Sequence, residues 1–140
     1  MFHALNGVDV RMKPEERTLN NALFQIVTAA SDRGEPVICY PYNPEINFMT
    51  DRPSYEYNLY ADNDIPTAQF CAQEIALIEK NHPPVVIFNN WDINGTEESR
   101  FCNWAAPLCR YVSSKYVPAY RSDNFEVFVR PDRAYRIPQF

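Results

Sequence analysis

Two hydrophobic signatures alternate along this chain: apolar residues returning every three or four positions, which predict helices, and short runs that are apolar throughout, which predict covered strands. Leu19, Leu23, Ile26, Val27 and Ala30 keep helical spacing behind Pro14-Glu15-Glu16. The proline suits a first turn and the two acids suit the positive end of a helix dipole. This helix is expected to run to Gly34. Val37-Ile38-Cys39-Tyr40 then reads as a covered strand. Pro41 and Pro44 are expected to stop both sheet pairing and any immediate helix, so an aromatic, proline-stiffened loop begins at Tyr40.

Ser54 to Asp64, rich in Tyr, Asn and Asp, reads as an irregular crossing. A second helix opens at Ile65-Pro66-Thr67, carries Phe70, Cys71, Ile75, Leu77 and Ile78 as its buried stripe, and ends at Asn81-His82 ahead of Pro83-Pro84. Val85-Val86-Ile87-Phe88 is a second covered strand. Two such strands joined by a helical crossover form a parallel, right-handed unit. Thr96, followed by Glu97 and Glu98, is expected to cap a third helix holding Phe101, Trp104, Ala105, Leu108 and Val112, with a kink at Pro107. Tyr116 to Tyr120 suits a sheet edge because of Pro118, Arg121 to Asn124 a turn, and Phe125 to Val129 a last strand. Residues 2–13 show no sustained period and read as an entry segment or an added strand. The predicted fold is α/β, a mixed, partly parallel sheet of about four to five strands flanked by about three helices. No repeat, linker or low-complexity tract divides the chain, so residues 1–140 read as a single α/β domain with 1–13 as an irregular entry.

Composition narrows the function classes. A hydrophobic share of 46 % is that of a folded globule. Only 3 glycines stand against 12 prolines, which disfavours glycine-rich phosphate cradles. With 18 acidic against 13 Lys and Arg residues the formal charge is −5, and the arginines at 121, 130, 133 and 136 are interleaved with acids. That leaves no electrostatic footprint for nucleic acid. No window approaches the roughly 18 to 20 consecutive apolar residues of a membrane span, so the chain as it stands is expected to be soluble. A domain of a larger membrane protein would look the same.

Cys39, Cys71, Cys102 and Cys109 form no Cys-x-x-Cys pair and have no companion histidines at ligand spacing, so neither a metal nor another cofactor is expected. Cys39 inside an apolar strand reads as a small hydrophobe. On one continuous helix Cys102 and Cys109 would lie about 10 Å apart, too far to bridge each other. Asn94-Gly95-Thr96 matches a glycosylation acceptor, but a turn followed by a helix cap accounts for the same residues.

Candidate ligand-binding residues gather where the two covered strands end. In a parallel unit Tyr40, Tyr42 and Asn43 share an edge of the sheet with Asn89, Asn90, Trp91 and Asp92. Aromatic faces stack on sugar C–H groups while amides bond hydroxyls, so this set could hold a carbohydrate; aromatics bordering a sheet more often form a lid over the end of the core. Arg52, between Asp51 and Pro53, could grip a carboxylate or phosphate, or lock its loop by ion pairing. Scattered acids define no pair at catalytic separation, and no catalytic residue is assigned.

The order of motifs carries a resemblance. A strand leads into Tyr40-Pro41-Tyr42-Asn43-Pro44, then Ile46-Asn47-Phe48-Met49-Thr50-Asp51-Arg52-Pro53-Ser54. A helix, Pro83-Pro84-Val85-Val86-Ile87, Tyr111 to Pro118 and Phe125 to Arg130 follow. Over Asn20 to Arg130 this resembles the C-terminal soluble domain of polytopic membrane glycosyltransferases that use lipid-linked sugars, relatives of protein mannosyltransferases and lipid A aminoarabinose transferases. Asp51 departs from that pattern, which commonly has glycine before Arg-Pro. The resemblance implies a periplasmic or otherwise extracytoplasmic domain that assists acceptor access or orientation, with the catalytic residues elsewhere. Its partner would be the membrane-spanning part of its own parent chain. The alternatives are a free-standing α/β binding module for a small carbohydrate or anion, and a structural or oligomerising domain.

Overall fold

The computed structural model describes residues 2–3, 9–10, 13–41, 43–55, 66–92, 94–122 and 124–138. Two short strands, β1 (Phe2–His3) and β2 (Asp9–Val10), pair antiparallel. Helix α1 (Pro14–Ala30) starts as its sequence dictates, with Pro14 in the first turn and the Glu16 carboxylate accepting from the Lys13 backbone N–H at 3.2 Å. It stops at Ser31, three residues before Gly34, which takes φ +91° in the turn. Strand β3 (Val37–Tyr40) follows and is buried throughout.

Helix α2 (Pro44–Thr50) corrects the expectation that the prolines forbid an immediate helix. Pro44 stands in the first turn, where its missing N–H costs nothing and its fixed φ favours the helix. Asp51 ends α2 in the left-handed conformation at φ 53°, the geometry glycine adopts most cheaply. The aspartate is accommodated in this turn without a glycine. Most of the predicted crossing, residues 56–64, lies outside the described residues.

Helix α3 (Thr67–Asn81) buries Phe70, Cys71, Glu74 and Ile78 and ends on His82, again left-handed at φ 46°. Strand β4 (Val85–Asn89) pairs parallel with β3, Val37 opposite Val85 and Tyr40 opposite Phe88. The predicted third helix is not one helix. It divides into a 3₁₀ turn at Glu97–Ser99, α4 (Phe101–Trp104) and α5 (Ala106–Lys115), with Ala105 outside helical geometry between the last two. Pro107 sits in the first turn of α5, so it starts a helix instead of kinking one. Thr96 makes no side-chain cap bond.

This break overturns the expectation for the cysteines. Once Ala105 turns the chain, the Cα atoms of Cys102 and Cys109 come to 5.7 Å and the two form a disulfide. Cys39 and Cys71 are free and buried.

Strands β5 (Val117–Ser122) and β6 (Phe125–Val129) complete a four-stranded mixed sheet in the order β3-β4-β6-β5, parallel between β3 and β4 and antiparallel elsewhere. Period-two alternation divides its side chains between two apolar layers. Val37, Cys39, Val85, Ile87, Val127 and Val129 pack with α1 and α2. Ile38, Tyr40, Val86, Phe88 and Phe128 pack with α3, α4 and α5. Covered faces explain why the central strands read as unbroken apolar runs. The β3 edge is capped at its first residue: the Val37 N–H donates to the Pro53 carbonyl at 2.9 Å, and Asn47 Nδ2 donates to the Val37 carbonyl at 2.8 Å. The other edge is β5, where Pro118 withholds a donor. Among the described residues no helix is long and apolar enough to cross a membrane.

Candidate functional site

Parallel pairing of β3 and β4 brings the segments leaving Tyr40 and Asn89 to one edge of the sheet. Tyr40 itself points into the core. It is fully buried, its ring stacks against Phe101 at 5.4 Å and Phe88 at 5.8 Å, and its hydroxyl donates to Glu74 Oε1 at 2.9 Å. The lid reading therefore describes Tyr40 better than the ligand reading, because a ring under this aromatic stack presents no face to a solute. Tyr42 lies outside the described residues. Asn43 is half-buried before α2, and its carbonyl accepts from the Ile46 N–H.

Arg52 stands at the opposite end of the sheet, since residues 52–53 run beside Val37, the first residue of β3. It lines a cleft of about 500 Å³ with Arg33, Asn47, Phe48 and Asp51, yet the side chain is only 6 % exposed. Its Nε donates to Ser31 Oγ at 2.8 Å, Nη2 to the Ser31 carbonyl at 2.9 Å and Nη1 to the Thr50 carbonyl at 3.0 Å. These acceptors close the C-terminal ends of α1 and α2, where the two helix dipoles favour a cation. Burial lowers its pKa, and the neighbouring Asp51 charge opposes that shift. The neighbouring ion pair is Arg33 with Asp51. Arg52 is thus held by two helix ends, and the loop-locking reading acquires different partners from those the sequence suggested.

Asn90, Trp91 and Asp92 are brought together after β4. Trp91 is 45 % exposed and Asp92 is exposed. Asn90 is the organising residue: its N–H donates to the Asn124 carbonyl at 2.9 Å, and its Oδ1 accepts from the Cys102 N–H at 2.9 Å. Arg100 extends the clamp, with Nη1 donating to the Asn90 carbonyl at 2.6 Å and to Asn124 Oδ1 at 3.0 Å, and Nε to Glu97 at 3.0 Å. Together with Asn103, Arg121 and Glu126 these residues line a polar cavity of about 390 Å³. Sequence reasoning missed Arg100, Asn103 and Asn124. Asn124 was visible only as a turn residue, and the clamp made by Arg100 had no signal because the two residues it bridges, Asn90 and Asn124, lie ten and twenty-four positions away.

Other chemistry is sparse. Burial pushes the Cys39 and Cys71 thiols up, away from the thiolate form a nucleophile needs. Glu35 is held below its ordinary range by a hydrogen bond from Arg133, which binds it through Nη1 at 2.8 Å and Nη2 at 2.9 Å. Among the described residues no three His, Cys, Asp or Glu side chains come together as a metal site.

The fold and this loop cluster define an α/β domain with helices on both faces of one mixed sheet and a polar cavity at the C-terminal end of its central parallel strand. No family model matches the chain, and no curated protein matches it in sequence. Among solved structures, the C-terminal globular domain of an oligosaccharyltransferase from Archaeoglobus fulgidus overlays it with a TM-score of 0.50 at 10 % identity. The overlay covers 86 % of this chain and 99 % of that one. At this identity the likeness is one of fold.

Proposed function

We propose that the chain is the extracytoplasmic soluble domain of a membrane-embedded glycosyltransferase using a lipid-linked sugar donor, one that assists acceptor access or orientation and holds no catalytic residue itself. The observation carrying this reading is the overlay on a globular domain of an oligosaccharyltransferase across nearly the whole of both chains. The order along the sequence of a strand, the prolines that follow it and the Phe-x-Thr-x-Arg-Pro element supports the same reading. The Cys102–Cys109 disulfide supports an oxidising, extracytoplasmic location. In this reading the 140 residues are one domain, its partner is the membrane-spanning part of its parent chain, and Asn90, Trp91 and Asp92 belong to the face turned toward substrate. The genomic reading frame upstream of Met1 tests this directly. It is expected to continue into several hydrophobic spans; a frame that opens at Met1 behind its own start signals would refute the proposal.

A further inference from the structure

We infer that the polar cavity between the β4–α4 loop and the β5–β6 turn is a binding site for a neutral sugar ring. Three asparagines line it, and each is anchored through one end of its amide. Asn90 Oδ1 accepts from the Cys102 N–H, Asn124 Oδ1 accepts from Arg100, and Asn103 Nδ2 donates to the Glu97 carbonyl at 2.6 Å. Those bonds fix the orientation of every amide, because donor and acceptor ends cannot be exchanged. The remaining ends are Nδ2 of Asn90, Nδ2 of Asn124 and Oδ1 of Asn103. No hydrogen bond among the described residues uses these ends, so they add two NH₂ donors and one carbonyl acceptor to a lining whose charged side chains, Glu97 with Arg100 and Arg121 with Glu126, are paired with each other.

A hydroxyl both donates and accepts, so neighbouring hydroxyls on one ring match this mixture, whereas an inorganic anion uses only the donors and an ammonium only the acceptor. The charges of the cavity support the same class. Glu97 pairs with Arg100 at 3.0 Å and Glu126 with Arg121 at 3.3 Å, which leaves no net charge to attract an ion. The volume of about 390 Å³ stands at the small end of the range for small-molecule sites. Trp91, exposed and next to Asn90 in the chain, supplies an aromatic surface at the same loop. The walls are set before any ligand arrives, because Arg100 ties Asn90 to Asn124 and the disulfide fastens the helix that carries Cys102.

The inference deepens the glycosyltransferase reading, and rests on it only in that the sugar would belong to a substrate of that enzyme. Titration of the ¹⁵N-labelled chain with methyl α-D-glucopyranoside, methyl α-D-mannopyranoside and N-acetylglucosamine, followed by NMR, tests it. At least one of them is expected to shift the side-chain NH₂ signals of Asn90 and Asn124 saturably. Asn103→Ala and Asn124→Ala, each checked for an unchanged dispersed spectrum, are expected to weaken binding about three- to tenfold, the worth of one hydrogen bond. No saturable shift with any of the three overturns the inference, and so does an equal response of those signals to sodium sulfate or to glycylglycine. A chain joined to membrane spans that ignores all three sugars keeps the domain reading and loses this one; a free-standing chain that binds them does the reverse.

Discussion

Arg52 shows how far one residue can be read from its neighbours in sequence. Asp51-Arg52-Pro53 suggested either an anion contact or a local ion pair, and the guanidinium instead donates to Ser31 and Thr50, the former twenty-one positions away. Replacing Arg52 with alanine strands carbonyls at two helix ends, and a loss of about 2 to 4 kcal/mol in urea unfolding is expected. Arg52→Lys is expected to recover little of it, because one ammonium cannot span both helix ends as a planar fork does. A loss under about 0.5 kcal/mol for alanine would mark the contact as incidental. Tyr40 was legible as part of a buried strand, but not its role, since the Glu74 partner comes from α3. The pair of Glu35 with Arg133 spans ninety-eight positions and was equally hidden. Because the Glu35 pKa is depressed when folded, the stability it supplies is full above its ordinary value of 4.5 and is lost as pH falls through the folded value. Urea midpoints measured from pH 7 down to pH 3 should therefore decline less steeply below pH 4.5 in Glu35→Gln than in the parent; parallel curves would contradict the pairing.

At the scale of elements, periodicity located helices and strands well where tertiary packing agrees with it. Val37 to Tyr40 and Val85 to Phe88 could be read as covered parallel strands because both faces of the sheet are packed. The region from Thr96 to Lys115 misled for a physical reason: its apolar residues keep helical spacing across Ala105, and periodicity does not detect one residue that leaves helical geometry. That residue decides the cysteine chemistry, since it changes an impossible pairing into a disulfide. Closing so short a loop is worth about 2 to 3 kcal/mol on the chain-entropy scale, so Cys102→Ser with Cys109→Ser is expected to lower stability by that amount. The same variant should broaden or shift the NMR signals of Asn90, whose amide oxygen accepts from the Cys102 N–H. Unchanged signals would mean that the cavity wall holds without the bridge.

For the whole molecule, the mixed α/β class was readable, as was the shared edge where the loops after β3 and β4 emerge. The grouping of site residues was not. Arg52 lies by the start of β3 while Asn90, Trp91 and Asp92 follow the end of β4, and the polar cavity beside them draws on Arg100, Asn103 and Asn124. Side chains supplied by three separate segments cannot be assembled from spacing along one chain. The proposed role needs little chemistry from the domain, only a stable platform whose loops face a substrate handled elsewhere. Immunoblotting of fractionated native cells with an antibody against this chain tests that role most directly. A polypeptide well above the 16.3 kDa of the chain, retained in membranes after carbonate washing, is expected; a soluble species of 16.3 kDa would contradict it.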